Sequence, residues 1–184
     1  MIIGLTGTLA SGKDEFSRYL KQKGFEAYSL SDMIRDEAKQ RGLELTRENL
    51  QKLGNELRRK RGFSALADMV LGKLRPGKNY VISSIRNPSE VEALRNSGSF
   101  TMVFVDAPIM QRFNRVISRA RAGEQSLTFE QFRAQEEKEM ASDDPSSQQL
   151  LRCRQMSDFE LMNDSTIAEF HAKIEKIIGS LNKQ

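Results

Sequence analysis

Residues 7–14 of this chain read Gly-Thr-Leu-Ala-Ser-Gly-Lys-Asp, one position away from the phosphate-binding loop pattern G-x-x-x-x-G-K-[ST]. An apolar run, Ile2-Ile3-Gly4-Leu5, precedes the loop, and a helix-compatible segment, Glu15 to Leu20, follows it. Such a loop aims successive backbone N–H groups and a helix N-terminus at one point, where anions bind. Gly7 and Gly12 allow the tight turn and close backbone approach, and Thr8, Leu9, Ala10 and Ser11 form the cradle between them. Lys13 reaches toward the outer phosphates of a nucleoside triphosphate. A chance glycine-rich turn has no need of the strand, the lysine and the helix together. ATP is therefore the expected phosphate donor.

Asp14 is the departure. Ser or Thr at this position normally offers Mg²⁺ a neutral hydroxyl, whereas a carboxylate brings a full charge beside an anionic ligand. Two unit charges ~4 Å apart interact by ~4 kcal/mol at an effective dielectric of 20. Without a cation between them, Asp14 should repel the nucleotide. With Mg²⁺ it becomes a hard oxygen ligand, directly or through water. Mg²⁺ is thus the expected metal, with Asp14 as one candidate ligand.

Length and composition narrow the class. The chain has 184 residues, enough for one sizeable core, with 38% apolar and 29% charged residues. No segment approaches the ~20 apolar residues of a membrane span. One cysteine, Cys153, and one histidine, His171, exclude a disulfide framework and argue against a Cys/His zinc site. The first residues enter a strand directly, so no leader is expected, and the expected compartment is a reducing cytoplasm. A formal charge of +4 suits anionic small molecules. The basic residues mostly alternate with acids, which argues against nucleic acid.

Strands are expected at about 2–6, 25–29, 79–84, 100–106 and 158–162, with helices between them. This alternation predicts a parallel sheet covered on both faces, doubly wound, with its site at the strand C-termini. About 50 residues separate strands two and three, too many for one crossover helix. Helix starts are expected at Ser31-Asp32, Thr46 and Ser64, giving a helical insertion over 31–75. A second insertion follows strand four. It begins in an arginine-rich helix over 109–121, passes Gly123-Glu124-Gln125-Ser126 as a candidate hinge, and continues from Thr128 to Ala141. Asp143-Asp144-Pro145 breaks the chain before a helix near 146–155.

Several side chains then fall around one crevice. Asp32 and Arg35 follow strand two. Asp32 suits a helix N-cap, and equally suits orienting or deprotonating an attacking group or holding Mg²⁺ through water. Arg35 suits an acceptor phosphate, because guanidinium forks match phosphate geometry. Arg58 sits in the basic run Arg58-Arg59-Lys60-Arg61, which also suits a helix C-terminus before Gly62. The spacing of Leu50, Leu53 and Leu57 places Arg58 beside the buried face and selects it as an acceptor-binding residue. Strand three ends in Ser83-Ser84, where many phosphate-loop proteins carry a metal-holding acid. Arg86 follows as a candidate anion ligand. Arg112, Arg115 and Arg119 share one helix face. Arg115 and Arg119 are the expected catalytic pair, neutralising charge on a transferring phosphoryl group beside Lys13 and Asp32. Asn163 and Asp164, after strand five, start the last helix and are candidates for the edge of the nucleotide base. Cys153 and His171 are assigned no chemistry.

Together, the loop at 7–14, the Ser31-Asp32 start after strand two, the arginine-rich segment and Asn163-Asp164-Ser165 resemble the nucleoside monophosphate kinase and dephospho-CoA kinase superfamily. The resemblance covers nearly the whole chain. Tyr28 to Asp32, Gly54 to Arg58, Ser84 to Arg95 and Ser142 to Pro145 resemble more closely the kinase-like domain fused to the N-terminus of some deoxycytidylate deaminase-like proteins. The deaminase half itself, with its His-x-Glu and Cys-x-x-Cys, is absent from this sequence. The resemblance implies a three-layer α/β/α fold with a five-stranded parallel sheet in the order 2-3-1-4-5. It implies one kinase-like domain over 1–184, in which 31–75 covers the acceptor and 119–142 forms a lid. The implied activity is ATP- and Mg²⁺-dependent phosphoryl transfer to a small nucleotide, a nucleoside or deoxynucleoside monophosphate first and dephospho-CoA second. A nucleotide-sensing module without turnover is the alternative from another class. A protein partner or a homodimer is left open.

Overall fold

A computed structural model describes residues 1–119 and 127–181. Its parallel sheet has the strand order β2-β3-β1-β4-β5, with β1 Ile2–Gly7, β2 Glu26–Ser29, β3 Tyr80–Ser83, β4 Phe100–Asp106 and β5 Phe159–Met162. β1 lies at the centre, with Ile2 opposite both Tyr80 of β3 and Phe100 of β4. Every neighbouring pair is parallel. This is the parallel sheet that the alternation of elements predicted, in the order that the resemblance implied.

The period of two along each strand divides the core. Ile2, Tyr80, Ile82 and Met102 point into one apolar cluster, while Ile3, Leu5, Val81, Val103 and Val105 point into the other. The first cluster is closed by α2 Leu30–Gln40, α3 Arg47–Arg61, α4 Ala65–Leu71, α5 Pro88–Asn96 and α8 Leu150–Gln155. The second is closed by α1 Lys13–Gln22 and α9 Ile167–Leu181, through Phe16, Leu20, Phe170 and Ile174. α6 Ile109–Arg119 and α7 Phe129–Met140 follow β4. Strands buried on both faces explain why β1 and β4 read as continuous apolar runs.

Helix starts were legible where a side chain caps. Thr46 accepts from the Asn49 N–H at 3.2 Å and opens α3. Thr128 and Gln131 form a capping box at α7, as do Asn87 and Glu90 at α5. Two expected starts shift, and the one at Ser64 holds its place without a side-chain cap. α2 begins at Leu30, one residue before the expected Ser31-Asp32, because the chain turns out of β2 directly into it. Ser64 precedes α4 without capping it, since its hydroxyl donates to Asp68 at 2.8 Å. The helix expected near 146–155 spans only Leu150–Gln155, because residues 146–149 are held in an irregular turn by tertiary hydrogen bonds. The candidate hinge at 123–126 and Arg121 lie outside the described residues, as does part of the expected lid. No described helix is long and apolar enough to cross a membrane.

Candidate functional site

The C-terminal ends of β1, β3 and β4 bring three turns together, and the loop after β1 is built for close approach. Gly7 has φ 138°, and a Cβ there would lie 2.0 Å from the Val105 carbonyl oxygen. Gly12, at the start of α1, has φ 111°, and its Cβ would meet the Asn163 amide nitrogen at 2.3 Å. Both backbone conformations disfavour any side chain. Ala10 adopts φ 58°, an uncommon choice for a residue with a Cβ, at the crest of the loop. The Thr8 hydroxyl donates to Asp106 at 2.6 Å, and the Asn163 amide donates to the Ser11 carbonyl at 2.8 Å. The loop is thus clamped from β4 and from the turn after β5.

Lys13 folds back over this loop. Its ammonium donates to the carbonyls of Gly7 (3.0 Å) and Thr8 and to the Ser11 hydroxyl at 3.3 Å. Burial, reinforced by the nearby positive Arg86, lowers its pKa from 10.5 to about 7. A cation held this way at a helix N-terminus gains from an incoming polyphosphate. Arg115 reaches the same loop, donating to the carbonyls of Ala10 at 3.3 Å and Asn163 at 3.2 Å.

A cavity of about 1230 Å³ opens from the loop and runs between α1 and the helices of the 31–75 insertion. Leu9 to Asp14 of the loop line it. So do Asp32, Arg35 and Arg58 from the insertion, Arg86 after β3, and Arg115 and Arg119 from α6. Tyr28, Ile34, Leu50 and Leu66 give it an apolar side. The sequence-selected residues therefore share one cleft, with four departures. Gly7 and Thr8 lie under the loop and shape it. Asn163, expected at the base, is buried, and its amide is spent on Ser11. Asp164 turns outward to Lys173 at 2.8 Å.

Several of these residues and their neighbours are already engaged with partners. Arg58 is 3% exposed and paired with the fully buried Glu90 at 2.8 Å. A further nitrogen donates to the Ser146 carbonyl at 3.4 Å. Arg112, on the arginine face of α6, is also buried. It donates to the Ala107 carbonyl at 2.7 Å and pairs with Glu136, tying α6 to α7. Asp32 pairs with Arg35 at 2.8 Å, both on the cavity side of α2. Ser83 and Ser84, standing where an acid was sought, join strand ends. Ser84 accepts from Ser29 at 3.0 Å, and Ser83 donates to the Tyr28 carbonyl at 3.4 Å.

Three acidic or basic groups escaped the sequence reading. Asp106 ends β4, where it accepts from Thr8 and from the Ala107 N–H at 2.8 Å. A strand-end acid was visible there, but on the other side of β1 from the strand searched. Arg47 lines the cavity from the first turn of α3, where the helix dipole disfavours a cation. That misfit was a readable signal. Glu139 is one of four glutamates on α7, and only the tertiary structure separates it from the others.

Mg²⁺ has a plausible donor set here, though a sparse one. Among the described residues no three Asp, Glu, His or Cys side chains converge. Asp14 and Asp32 both line the cavity. Mg²⁺ on a nucleotide needs only one or two carboxylates, because phosphates and waters complete its octahedron.

A model of the AAA domain family matches residues 3–140. The UPF0200 protein of Thermococcus kodakarensis is 30% identical over 188 residues, covering 98% of each chain. The chain belongs to the UPF0200 family, within the AAA domain group. Among solved structures, the Mycobacterium tuberculosis APS kinase CysC, in complex with AMPPNP and APS, aligns with a TM-score of 0.57 at 17% identity, covering 100% of this chain and 97% of that one. Dephospho-CoA kinase from Campylobacter jejuni aligns with a TM-score of 0.53 at 15% identity, covering 100% and 98%. These likenesses establish a P-loop kinase-like fold for the UPF0200 chain. The expected tie to deaminase-fused domains gains nothing from them.

Proposed function

We propose that this UPF0200 protein is an ATP- and Mg²⁺-dependent phosphotransferase whose acceptor is a small nucleotide, a nucleoside or deoxynucleoside monophosphate. The observation that carries the reading is the continuity of one cleft from the phosphate loop to the insertion, with arginines lining it throughout. Leu9 to Asp14 take the donor phosphates. The acceptor lies against α2 and α3, its apolar part on Ile34 and Leu50. An oxygen of the acceptor phosphate dianion forms a bond to the γ-phosphorus as the bond to the bridging oxygen breaks and ADP leaves; with a hydroxyl acceptor, as in dephospho-CoA, the released proton passes to Asp32 or to water. Lys13, Arg115 and Arg119 stabilise the charge that spreads over the γ-oxygens, so catalysis rests on positioning and electrostatics. Mg²⁺, when bound, neutralises phosphate charge. Asp14 is the residue that would face it.

Mass spectrometry after incubation with ATP·Mg²⁺ and a panel of nucleoside monophosphates plus dephospho-CoA tests this. One product gaining a single phosphoryl group, lost in Lys13→Met, is the expected outcome. Nucleotide binding without product would support the sensing module instead. Dephospho-CoA stays the second acceptor in the panel.

Asp14 carries a separate prediction. Removing Mg²⁺ should weaken ATP binding more in the native chain than in Asp14→Ser, by roughly tenfold, because without the cation between them the Asp14 carboxylate repels the polyphosphate. Calorimetric titration with and without EDTA reads this directly. An equal metal effect in both chains would refute it.

A further inference from the structure

Arg47 and Arg86 come from distant parts of the chain, the start of α3 and the turn after β3, and both end on one carboxylate. Glu139, near the end of α7, pairs with Arg47 through one oxygen and with the Arg86 Nη1 through the other at 2.9 Å. Arg86 Nη1 also donates to the Gln148 amide oxygen at 2.6 Å. All four residues line the cavity that begins at the phosphate loop. The Glu139 side chain is 6% exposed, against 21% for Arg86 and 39% for Arg47. Burial alone would raise its carboxyl, but Arg86 and Arg47 hold it below the usual range.

A buried carboxylate is costly unless it is paired. It is also a poor neighbour for a nucleotide, because its field reaches Lys13. Its partners are planar forks that accept carboxylate and phosphate oxygens alike. The pocket has thus gathered two guanidinium groups and filled the place between them with its own anion.

We infer that Glu139 occupies, in the acceptor-free protein, a seat for the phosphate dianion of a phosphorylated acceptor, which takes over Arg47 and Arg86 as the carboxylate withdraws. This rests on reading the cleft as the acceptor site. It has a consequence for specificity. An acceptor with a phosphate repays the displacement of Glu139 with two ion pairs. An acceptor without one cannot repay it and Glu139 keeps the seat, so a nucleoside is rejected where its monophosphate is taken.

Titration calorimetry of inorganic phosphate and of AMP into the native chain, Glu139→Gln and Glu139→Gln with Arg47→Gln tests this. An amide cannot balance two guanidinium groups, so Glu139→Gln should bind both probes at least tenfold more tightly than the native chain. AMP should compete with phosphate. The added Arg47→Gln should remove the gain. Equal or weaker phosphate affinity in a folded Glu139→Gln chain would overturn the inference, as would phosphate displaced by ATP but not by AMP. Glu139→Asp, whose shorter arm cannot span both arginines, gives the same reading if the glutamine variant does not fold. The two readings fail separately. Tighter phosphate and AMP binding without phosphoryl transfer to any acceptor sinks the phosphotransferase and keeps the seat. A Lys13-dependent product with no gain in Glu139→Gln does the reverse.

Discussion

Replacing Lys13 by Met is expected to lower the rate of phosphoryl transfer by at least ~10²–10³-fold, the effect of removing one preorganised donor from a developing oxyanion. The same substitution should stabilise the folded chain. Folding takes the Lys13 pKa from 10.5 down to about 7, mainly through burial. Between those values the unfolded chain holds a proton that the folded chain lacks, so native stability rises with pH across the window. Below about pH 7 both states are protonated and the full cost of burying the cation is present. A shift of this size corresponds to roughly 4–5 kcal/mol at ~1.4 kcal/mol per unit. The hydrogen bonds that Lys13 makes to the loop offset part of it. Urea denaturation should therefore show Lys13→Met more stable than the native chain at about pH 6, with the gap closing as the pH approaches 10. A gap that does not change with pH would contradict the burial argument. An unchanged transfer rate would remove Lys13 from the chemistry altogether.

The same lysine makes a second readout. Polyphosphate beside the ammonium favours its charged form and moves its pKa back up. ATP binding at about pH 8 should then take up a proton, visible as a binding enthalpy that varies with the ionisation enthalpy of the buffer. Lys13→Met should lose that variation. The pH-dependent stability and the proton uptake are thus two expressions of one burial: a site that holds its cation half-discharged gains most when the anion arrives.

The chain announces its sheet because each strand is short, β-branched or aromatic, and bounded by turn residues. Tyr80-Val81-Ile82 and Thr101 to Val105 could hardly be read otherwise. The phosphate loop was legible for a similar reason, since Gly7 and Gly12 take positive φ that local backbone geometry demands, and Lys13 follows at the spacing of the motif. Roles set by tertiary pairing were not legible. Arg58 and Arg86 carry the same charge, look equally suited to an anion and border the same cleft, yet Arg58 is 3% exposed against Glu90 of α5 whereas Arg86 keeps 21% of its side chain open. Asn163 caps nothing and instead holds Ser11, a contact between residues 152 positions apart. Glu139 is one acid among several on α7 until the fold brings α3 and the β3 turn to it. Periodicity specifies which face is buried, but it does not say which buried ion meets which.

That distinction gives the largest loss of stability expected here. Glu90 is fully buried and serves three donors at once. One oxygen accepts from Arg58, with contacts at 2.8 and 2.9 Å, and the other from the backbone N–H groups of Arg86 at 2.9 Å and Asn87 at 3.0 Å. Asn87 in turn donates to the carbonyls of Pro145 at 2.7 Å and Ser147 at 3.0 Å, and the Gln149 N–H returns to the Arg86 carbonyl at 2.8 Å. The segments Gly54 to Arg58, Ser84 to Arg95 and Ser142 to Pro145, separate in the sequence, are therefore one network around a single carboxylate. Glu90→Ala strands a guanidinium in the interior and leaves two N–H groups unpaired, so it should cost about 3–5 kcal/mol. Arg58→Met should cost less, because the carboxylate it leaves behind still accepts two backbone hydrogen bonds. The double variant should cost less than the sum, as expected for residues sharing one network. Equilibrium denaturation of the three chains checks the order. The network also fixes the backbone of Arg86, whose side chain lines the cleft, so the single variants should lose transfer activity at temperatures where they remain folded. If Glu90→Ala and Arg58→Met were each within about 1 kcal/mol of the native chain, the buried pair would not be what holds the Arg86 turn in place.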